Sequence, residues 1–219
     1  MIKLYGVHID SLPEYSSLLA LLREDWRRVW LSRYGSVRDE RKKRAGLAGL
    51  WLLEHSGANG MLFYDANGRP GFLDGAVDFS ISHTQTLVVC AVEFGDGEGG
   101  ESPRIGVDAE DLSRVSPEQI SALAERWFTE GEREMFLAAP NARTFLRIWT
   151  RKEALVKRTG EGLRGMRLRD VTRGEQEGIT FFEYDADGAL VTVCAHVGAR
   201  TPLVLEWQDA ALEKMLQTY

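Results

Sequence analysis

The chain has 219 residues, of which 44% are hydrophobic and 27% charged, a composition typical of folded proteins that excludes an intrinsically disordered one. No apolar run approaches the roughly 20 residues that a membrane-spanning helix needs, so we expect no membrane partner. The formal net charge of -6 argues against a nucleic acid partner, because a phosphate backbone attracts basic proteins.

Residues 1–10 alternate between apolar and polar side chains and include an acid, which predicts a first strand rather than a signal peptide. Further on, periodic apolar residues predict helices, and apolar or β-branched runs predict strands. In chain order these are helices over 13–31 and 37–55, and strands over 61–64, 77–82, 86–94 and 104–109. A turn is predicted over 67–71 and a flexible loop over 95–101, where glycines and acids predominate.

The second half of the sequence predicts elements of the same kinds in a similar order. Two or three helices are predicted between residues 117 and 158. They are followed by strands over 179–184, 189–196 and 202–207, and by a closing helix from Asp209. Helices and strands that mix without a regular βαβ alternation predict an α+β fold with antiparallel sheets. The repeated order predicts two similar halves, 1–105 and 106–219.

Basic residues are concentrated in two segments of the chain. Arg23 to Arg44 contains nine basic and four acidic residues, and Arg143 to Arg169 contains nine basic and two acidic ones. Two local basic segments in an acidic protein indicate a small polyanion as ligand better than they indicate a long nucleic acid. Solvated helix faces are the alternative interpretation, and charge alone leaves both open.

The two cysteines, Cys90 and Cys194, each lie in an apolar run that is typical of a strand. Free cysteine is among the most buried residue types, and disulfides are rare in cytosolic proteins. We therefore expect two buried, reduced thiols and a cytoplasmic protein.

Asp108 and Glu110 lie at the end of the strand predicted over 104–109. Side chains alternate along a strand, so the two carboxylates point to the same face. They repel each other unless a cation lies between them or one is protonated. The pair predicts a magnesium site, with an exposed acidic strand end as the alternative, since acids two residues apart are common.

Glu153 and Lys157 belong to a strongly helical segment, Trp149 to Lys157. Four residues apart, they share a helix face in the order that favours an ion pair. In one interpretation they form a surface salt bridge that only stabilises the helix. In the other, Glu153 is a third oxygen ligand of the metal and Lys157 binds a phosphate, because magnesium prefers carboxylates together with substrate phosphates.

Ser82 and His83 lie at the end of the strand over 77–82, where a hydroxyl and an imidazole can both reach a phosphate. A structural histidine is the alternative. Adjacent residues of a strand point apart, which argues against a serine–histidine hydrolase. The sequence also lacks a glycine-rich phosphate loop of the P-loop or dinucleotide-binding kind.

The order and spacing of these motifs resemble the Sfp-type (surfactin-type) 4'-phosphopantetheinyl transferases. The family pattern runs Gly-Lys-Pro, Ser-His-Ser, Gly-Val/Ile-Asp-x-Glu, Phe-Ser-x-x-Glu and Trp-x-x-Lys-Glu-Ala-x-x-Lys, followed by a glycine turn. The corresponding segments are Gly68-Arg69-Pro70, Ser82-His83-Thr84, Gly106 to Glu110, Phe128 to Glu132, Trp149 to Lys157 and Gly160 to Leu163. The departures are Ser80 for asparagine, Thr84 for serine and Arg69 for lysine.

The resemblance implies roles for individual residues. Asp108, Glu110 and Glu153 would bind Mg²⁺, with Mn²⁺ as an alternative, and the metal would bridge the pyrophosphate of coenzyme A. Asp108, Glu153 and Lys157 would be the catalytic residues, and Glu153 or a water that it orients would take the proton of the acceptor serine. The implied coenzyme A ligands are Ser82, His83 and Lys157 for the phosphates, Arg69 near the nucleotide, and Arg44, Arg28 and Arg33 for the 3'-phosphate.

The resemblance also implies the reaction and the partner. A monomeric enzyme, with its active site in the cleft between the two halves of a pseudo-dimer, would transfer 4'-phosphopantetheine from coenzyme A to a serine of an apo acyl or peptidyl carrier protein. The alternative is a non-catalytic module that binds coenzyme A or a carrier protein. The carrier would dock on apolar residues after Asp111, for which the candidates are Ile120, Leu123, Trp127, Phe128, Met135 and Phe136.

Overall fold

The structure, a computed structural model, describes residues 1–95, 104–113, 115–173, 178–196 and 204–217, without the side chains of residues 117, 118 and 163. Of the loop predicted over 95–101, only Gly95 lies within these residues. In the described part of the chain, no helix is both long and apolar enough to cross a membrane.

The chain forms eight α-helices and nine strands within the described residues. The helices are α1 (Tyr15–Leu21), α2 (Glu24–Tyr34), α3 (Glu40–His55), α4 (Pro117–Trp127), α5 (Glu130–Ala138), α6 (Ala142–Thr159), α7 (Leu163–Leu168) and α8 (Asp209–Leu216). The strands are β1 (Ile2–His8), β2 (Leu62–Tyr64), β3 (Pro70–Phe72), β4 (Val77–His83), β5 (Leu87–Phe94), β6 (Gly106–Asp111), β7 (Ile179–Ala186), β8 (Ala189–His196) and β9 (Leu205–Trp207). The predicted α+β class is confirmed, whereas α7 and β3 were not predicted.

These elements belong to two units. The first unit is Met1–Pro103 together with Pro202–Tyr219, and the second unit is Arg104–Thr201. The predicted halves, 1–105 and 106–219, differ from these units mainly at the C-terminal end. There β9 pairs in parallel with β1, and Leu212 of α8 is buried in the core of the first unit. Such long-range pairing leaves no local signal in the sequence.

The first unit is built on a sheet with the strand order β4-β5-β1-β9. Both β1 and β4 pair antiparallel with β5, and α3 packs against β5. The apolar side of this helix is buried, with Leu47, Leu50, Trp51 and Leu53 in the core. Burial of this face holds the basic N-terminal turns of α3 at the edge of the core.

The helix predicted over 13–31 is in fact two helices, so this prediction was wrong. The backbone of Leu22 is extended, with φ -74° and ψ 141°, and α2 begins only after Arg23. The break lets both helices bury side chains in the same core, Leu18 and Leu21 from α1, and Trp26 and Trp30 from α2. Burial of these large side chains overrides the continuous helical pattern.

The second unit is built on an antiparallel sheet with the order β6-β8-β7. Its long helix α6 packs on β6 and β8. Asn141 caps the start of this helix, because its side chain accepts a hydrogen bond from Thr144 N, and Gly160, with a φ of +75°, caps its end. Capping at both ends fixes the length of the helix that carries Glu153 and Lys157.

Candidate functional site

The acidic strand β6 provides the first part of the site. Asp108 is buried and Glu110 is half-buried, and the alternation of strand residues directs both side chains to the same face. Asp108 lies opposite Thr192 and Glu110 opposite Leu190 of β8. The pairing with β8 therefore fixes the backbone positions of both acids.

Helix α6 lies against the same strand at very short distance. A Cβ atom added to Gly106 would overlap the carbonyl oxygen of Ala154 and lie 2.7 Å from Arg158 N. This approach lets Lys157 Nζ donate a hydrogen bond of 2.7 Å to Asp108 Oδ1. The structure thus brings together Asp108 and Lys157, which are 49 residues apart in the sequence.

Glu153 lies one helical turn before Lys157, and the two share a face of α6 because of their spacing. Its side chain is half-buried. Among the residues that the structure describes, no group of three or more histidine, cysteine, aspartate or glutamate side chains is close enough to hold a metal ion. The structure therefore does not bring Asp108, Glu110 and Glu153 into one coordination sphere.

The chemistry of the two strand acids nevertheless fits magnesium. This ion takes hard oxygen ligands and is usually held by one or two carboxylates, substrate phosphates and water. Asp108 and Glu110 satisfy that demand, since they supply two carboxylates on one strand face. The ammonium group of Lys157 at Asp108 shows that this carboxylate attracts a cation.

The arginines in the first half of α6 are engaged by β7. Arg147 and Arg151 both contact Glu183, at 2.8 and 2.6 Å, and Arg143 contacts Asp185 at 2.8 Å. Sequence analysis left open whether this basic segment binds a polyanion. The structure shows that three of its nine basic residues form ion pairs with two carboxylates of β7.

A cavity of about 320 Å³ in the first unit is lined by cationic and aromatic side chains. Tyr34 of α2, Tyr64 of β2 and Pro70 form apolar parts of its wall, and Lys42, Lys43 and His83 also line it. Ligand sites of this size are typically apolar with a few polar groups. Flat apolar walls suit a planar base, and the cationic groups suit phosphates.

Two of the three predicted phosphate-binding arginines lie on α2, in different surroundings. Arg33 places its guanidinium 4.7 Å from the centre of the Tyr64 ring and 5.7 Å from that of Tyr34, which brings it close to this cavity. Arg28 is well exposed and forms an ion pair with Glu24 one turn earlier on the same helix. The structure therefore favours Arg33 over Arg28.

The other predicted arginines contact groups of the protein itself. Arg44 donates hydrogen bonds to the carbonyl oxygens of Pro13, at 2.8 Å, and of Leu12. Arg69 donates to Asp78 Oδ2 at 2.6 Å, and both side chains are largely buried. The main chain of Arg69 is held as well, because its N–H donates to Asp65 Oδ1 in the turn before β3.

Ser82 and His83 lie at the end of β4, as predicted, but they differ in exposure. Ser82 is buried, whereas His83 is exposed and lines the cavity. Sequence analysis missed Lys42, Lys43, Tyr34 and Tyr64 as candidate ligands. A signal for the lysines was present in the charge of the segment from Arg23 to Arg44, but that charge did not single out individual residues.

Both cysteines are buried and free, as predicted. Burial raises the pKa of the Cys90 thiol and, despite Arg158, the pKa of Cys194 to about 12. Burial therefore disfavours the thiolate form of both side chains, which argues against either as a nucleophile.

Comparison with known proteins gives a consistent result. Residues 104–200 match the 4'-phosphopantetheinyl transferase superfamily. The chain is 34% identical over 107 residues to the 4'-phosphopantetheinyl transferase HetI of a Nostoc species, a stretch covering 46% of this chain and 41% of the relative. It is 31% identical over 103 residues to the 4'-phosphopantetheinyl transferase psf-1 of Bacillus pumilus, covering 45% and 39%. A 4'-phosphopantetheinyl transferase of Bacillus subtilis is 29% identical over 174 residues, covering 74% and 71%.

The extent of these matches differs along the chain. The chain spans about two fifths of the length of the relatives from Nostoc and Bacillus pumilus. The matched range 104–200 contains Asp108, Glu110, Glu153 and Lys157. The candidate ligands around the cavity of the first unit lie outside that range.

Proposed function

We propose that this protein transfers 4'-phosphopantetheine from coenzyme A to a serine of an apo carrier protein, because residues 104–200 match the 4'-phosphopantetheinyl transferase superfamily. In this reaction the serine oxygen forms a bond to the phosphorus that carries the pantetheine arm. The bond from that phosphorus to the bridging oxygen breaks, and 3',5'-ADP leaves. The contact between Lys157 and Asp108 carries the proposal. It joins the acidic segment from Gly106 to Glu110 to the helical segment from Trp149 to Lys157, and the proposed reaction uses side chains of both.

We propose that Asp108 and Glu110 hold a magnesium ion, and that the Glu153 side chain, which the structure does not group with them, would move towards them to become the third carboxylate. Bound there together with the pyrophosphate, the ion would withdraw negative charge and stabilise the leaving group. Lys157 would bind an oxygen of the pyrophosphate once a metal ion replaces it at Asp108. Its four-carbon stem supports this change of partner, since it lets the ammonium group move while the helix stays fixed.

Proton transfer in the proposed reaction depends on Glu153. A carboxylate can accept the serine proton directly or through one water molecule that it orients. Glu153 is half-buried, so the second route remains open to it. The protein needs no nucleophile of its own, which agrees with the buried, protonated thiols of Cys90 and Cys194.

The cavity of the first unit supports a role in binding the nucleotide part of coenzyme A. Tyr34, Tyr64 and Pro70 offer apolar walls for the adenine, and Lys42, Lys43 and His83 offer cationic groups for the phosphates. Arg33 stacks beside these tyrosines and would add a further cation. This assignment shifts the 3'-phosphate site from Arg44 and Arg28 towards Lys42, Lys43 and Arg33.

The alternative is a non-catalytic module that binds coenzyme A or a carrier protein. Binding coenzyme A without turnover requires no pair of carboxylates beside the phosphates, since like charges repel. The presence of Asp108 and Glu110 on one strand face therefore favours the enzyme. The free, buried thiols of Cys90 and Cys194 support the proposal that the protein works in the reducing cytoplasm.

The proposal is tested by incubating the protein with coenzyme A, magnesium and an apo carrier protein, and by weighing the carrier in a mass spectrometer. We expect the mass to increase by one phosphopantetheine group and 3',5'-ADP to appear. The Asp108→Asn variant should lose most of this activity, and the exposed Asp185→Asn variant should keep it. A carrier of unchanged mass, with coenzyme A bound, would identify the module instead.

A further inference from the structure

A second lysine of α6, Lys152, forms a fully buried ion pair in the second unit. Its ammonium group lies 2.6 Å from Glu132 Oε2 and 2.8 Å from Glu132 Oε1. Both side chains are 0% exposed. Lysine and glutamate are almost never fully buried unless they are paired, so this pair is an unusual feature of the core.

The remaining hydrogen bonds of the pair reach two further segments. Lys152 Nζ donates to the carbonyl oxygen of Arg169, at 2.7 Å. Glu132 accepts hydrogen bonds from the N–H groups of Thr129, at 2.8 Å, and Val171, at 2.9 Å. One buried pair therefore ties α6 to the first turn of α5 and to the segment that follows α7.

A buried ion pair does little for stability in general. The cost of removing two charges from water offsets most of their attraction, and apolar side chains of similar size often serve the fold as well. The pair of Lys152 and Glu132 instead fixes the orientation of α6, because each of its hydrogen bonds requires a defined distance and angle. An apolar replacement would fill the same space without fixing the rotation of α6.

The rotation of α6 decides where its functional side chains point. Successive residues of an α-helix are separated by about 100°, so the anchoring of Lys152 also fixes the direction of Glu153. It likewise fixes Lys157, which reaches Asp108 at 2.7 Å. Functional groups have to be held within about 0.5 Å of their working positions.

We propose that Lys152 and Glu132 are positioning residues, which set the rotation of α6 and thereby direct Glu153 and Lys157 towards Asp108. The expected change in turnover number rests on the proposed function. The expected change in Mn²⁺ affinity does not require phosphopantetheine transfer. Neither residue touches the substrate in the proposed reaction.

The main test uses the double variant Lys152→Met/Glu132→Gln, which removes both charges and keeps one carbonyl oxygen, so that one of the two N–H groups, that of Thr129 or that of Val171, keeps its acceptor. We expect a thermal midpoint within about 4 °C of the wild type. The turnover number should fall by about tenfold or more, while the KM for the carrier protein stays the same. Binding of Mn²⁺ alone, followed by electron paramagnetic resonance without coenzyme A or carrier, should weaken by about tenfold.

The matched control is Arg143→Met/Asp185→Asn, which removes an exposed ion pair between the same helix and β7. We expect this variant to keep the turnover number and the Mn²⁺ affinity of the wild type. A folded Lys152→Met/Glu132→Gln variant with wild-type values for both quantities would overturn the proposal and leave the pair a purely structural role.

A conservative variant covers the case in which the double variant does not fold. Glu132→Asp keeps the charge and shortens the side chain by one methylene group, so it displaces Lys152 without removing the ion pair. It should lower the turnover number and the Mn²⁺ affinity in the same direction, and wild-type values would overturn the proposal. A wild-type protein that transfers no phosphopantetheine would refute only the proposed function, since the Mn²⁺ measurements still compare the variants.

Discussion

Lys157 Nζ donates a hydrogen bond of 2.7 Å to Asp108 Oδ1, so the lysine predicted to bind a phosphate neutralises an acid predicted to bind a metal. The Asp108 side chain is 6% exposed and that of Lys157 is 30% exposed. If Asp108 binds a divalent cation as proposed, that cation would compete with the ammonium group for the carboxylate. A phosphate of coenzyme A would then offer the lysine a new partner, and metal binding would be coupled to coenzyme A binding.

The first prediction concerns this competition. Lys157→Met should strengthen the binding of Mn²⁺ in the absence of coenzyme A by about tenfold, or ~1.4 kcal/mol, because the competing cation is gone. The same variant should weaken coenzyme A, since a charge-assisted hydrogen bond is lost. Isothermal titration with Mn²⁺, with and without coenzyme A, measures both effects. Lys214→Met on α8 is the control, and a loss of Mn²⁺ affinity in Lys157→Met would contradict the competition.

The second prediction concerns the close approach of β6 and α6. Gly106→Ala should lower the free energy of unfolding by about 1–3 kcal/mol, the range for overpacked cores, because its Cβ overlaps Ala154 O. The contact between Lys157 and Asp108 should loosen as the strand moves away. Gly46→Ala in α3 is the control, since its Cβ would lie 3.4 Å from Trp30 Nε1. Urea denaturation compares the free energies of unfolding of the two variants. A Gly106→Ala variant as stable as the wild type would contradict the prediction, because it would mean that α6 can move away from β6 at little cost.

The third prediction concerns the 3'-phosphate of coenzyme A. Lys42→Met/Lys43→Met should weaken coenzyme A more than dephospho-coenzyme A, by about 1.5–3 kcal/mol for each charge-assisted bond lost. Arg44→Met should affect both ligands equally and should also lower stability, because its guanidinium binds the carbonyl oxygens of Pro13 and Leu12. Titration calorimetry with both ligands separates these outcomes. A selective loss of coenzyme A affinity in Arg44→Met would restore Arg44 as the phosphate ligand.

The fourth prediction concerns the proposed carrier surface on α5, where two neighbouring residues differ in burial. Phe136 is 6% exposed and belongs to the core of the second unit, whereas Met135 is 37% exposed. Phe136→Ala should therefore cost about 3–5 kcal/mol of stability. Met135→Ser should leave stability almost unchanged but weaken the binding of an apo carrier protein. Thermal unfolding and a carrier titration test the pair, and unchanged carrier affinity in Met135→Ser would remove this residue from the surface.

The sequence by itself determined which candidate site residues of the second unit share a face of their element. Asp108 and Glu110 share a strand face, and Glu153 and Lys157 share a helix face, because each pair is related by the repeat of its own element. Such local relationships need no knowledge of the rest of the fold. The segment that carries these motifs, residues 104–200, is also the part of the chain that matches the 4'-phosphopantetheinyl transferase superfamily.

Only the tertiary structure decided which partners those side chains have. The contact of Lys157 with Asp108, the pairing of the α6 arginines with Glu183 and Asp185, and the addition of β9 to the first unit all join distant parts of the chain. Charge and hydrophobicity are properties of single residues, but their effect depends on what packs beside them. A basic segment therefore predicts a polyanion site equally well whether its arginines face solvent or contact carboxylates of another strand. The ion pairs from α6 to Glu183 and Asp185 of β7 are what distinguishes the two cases.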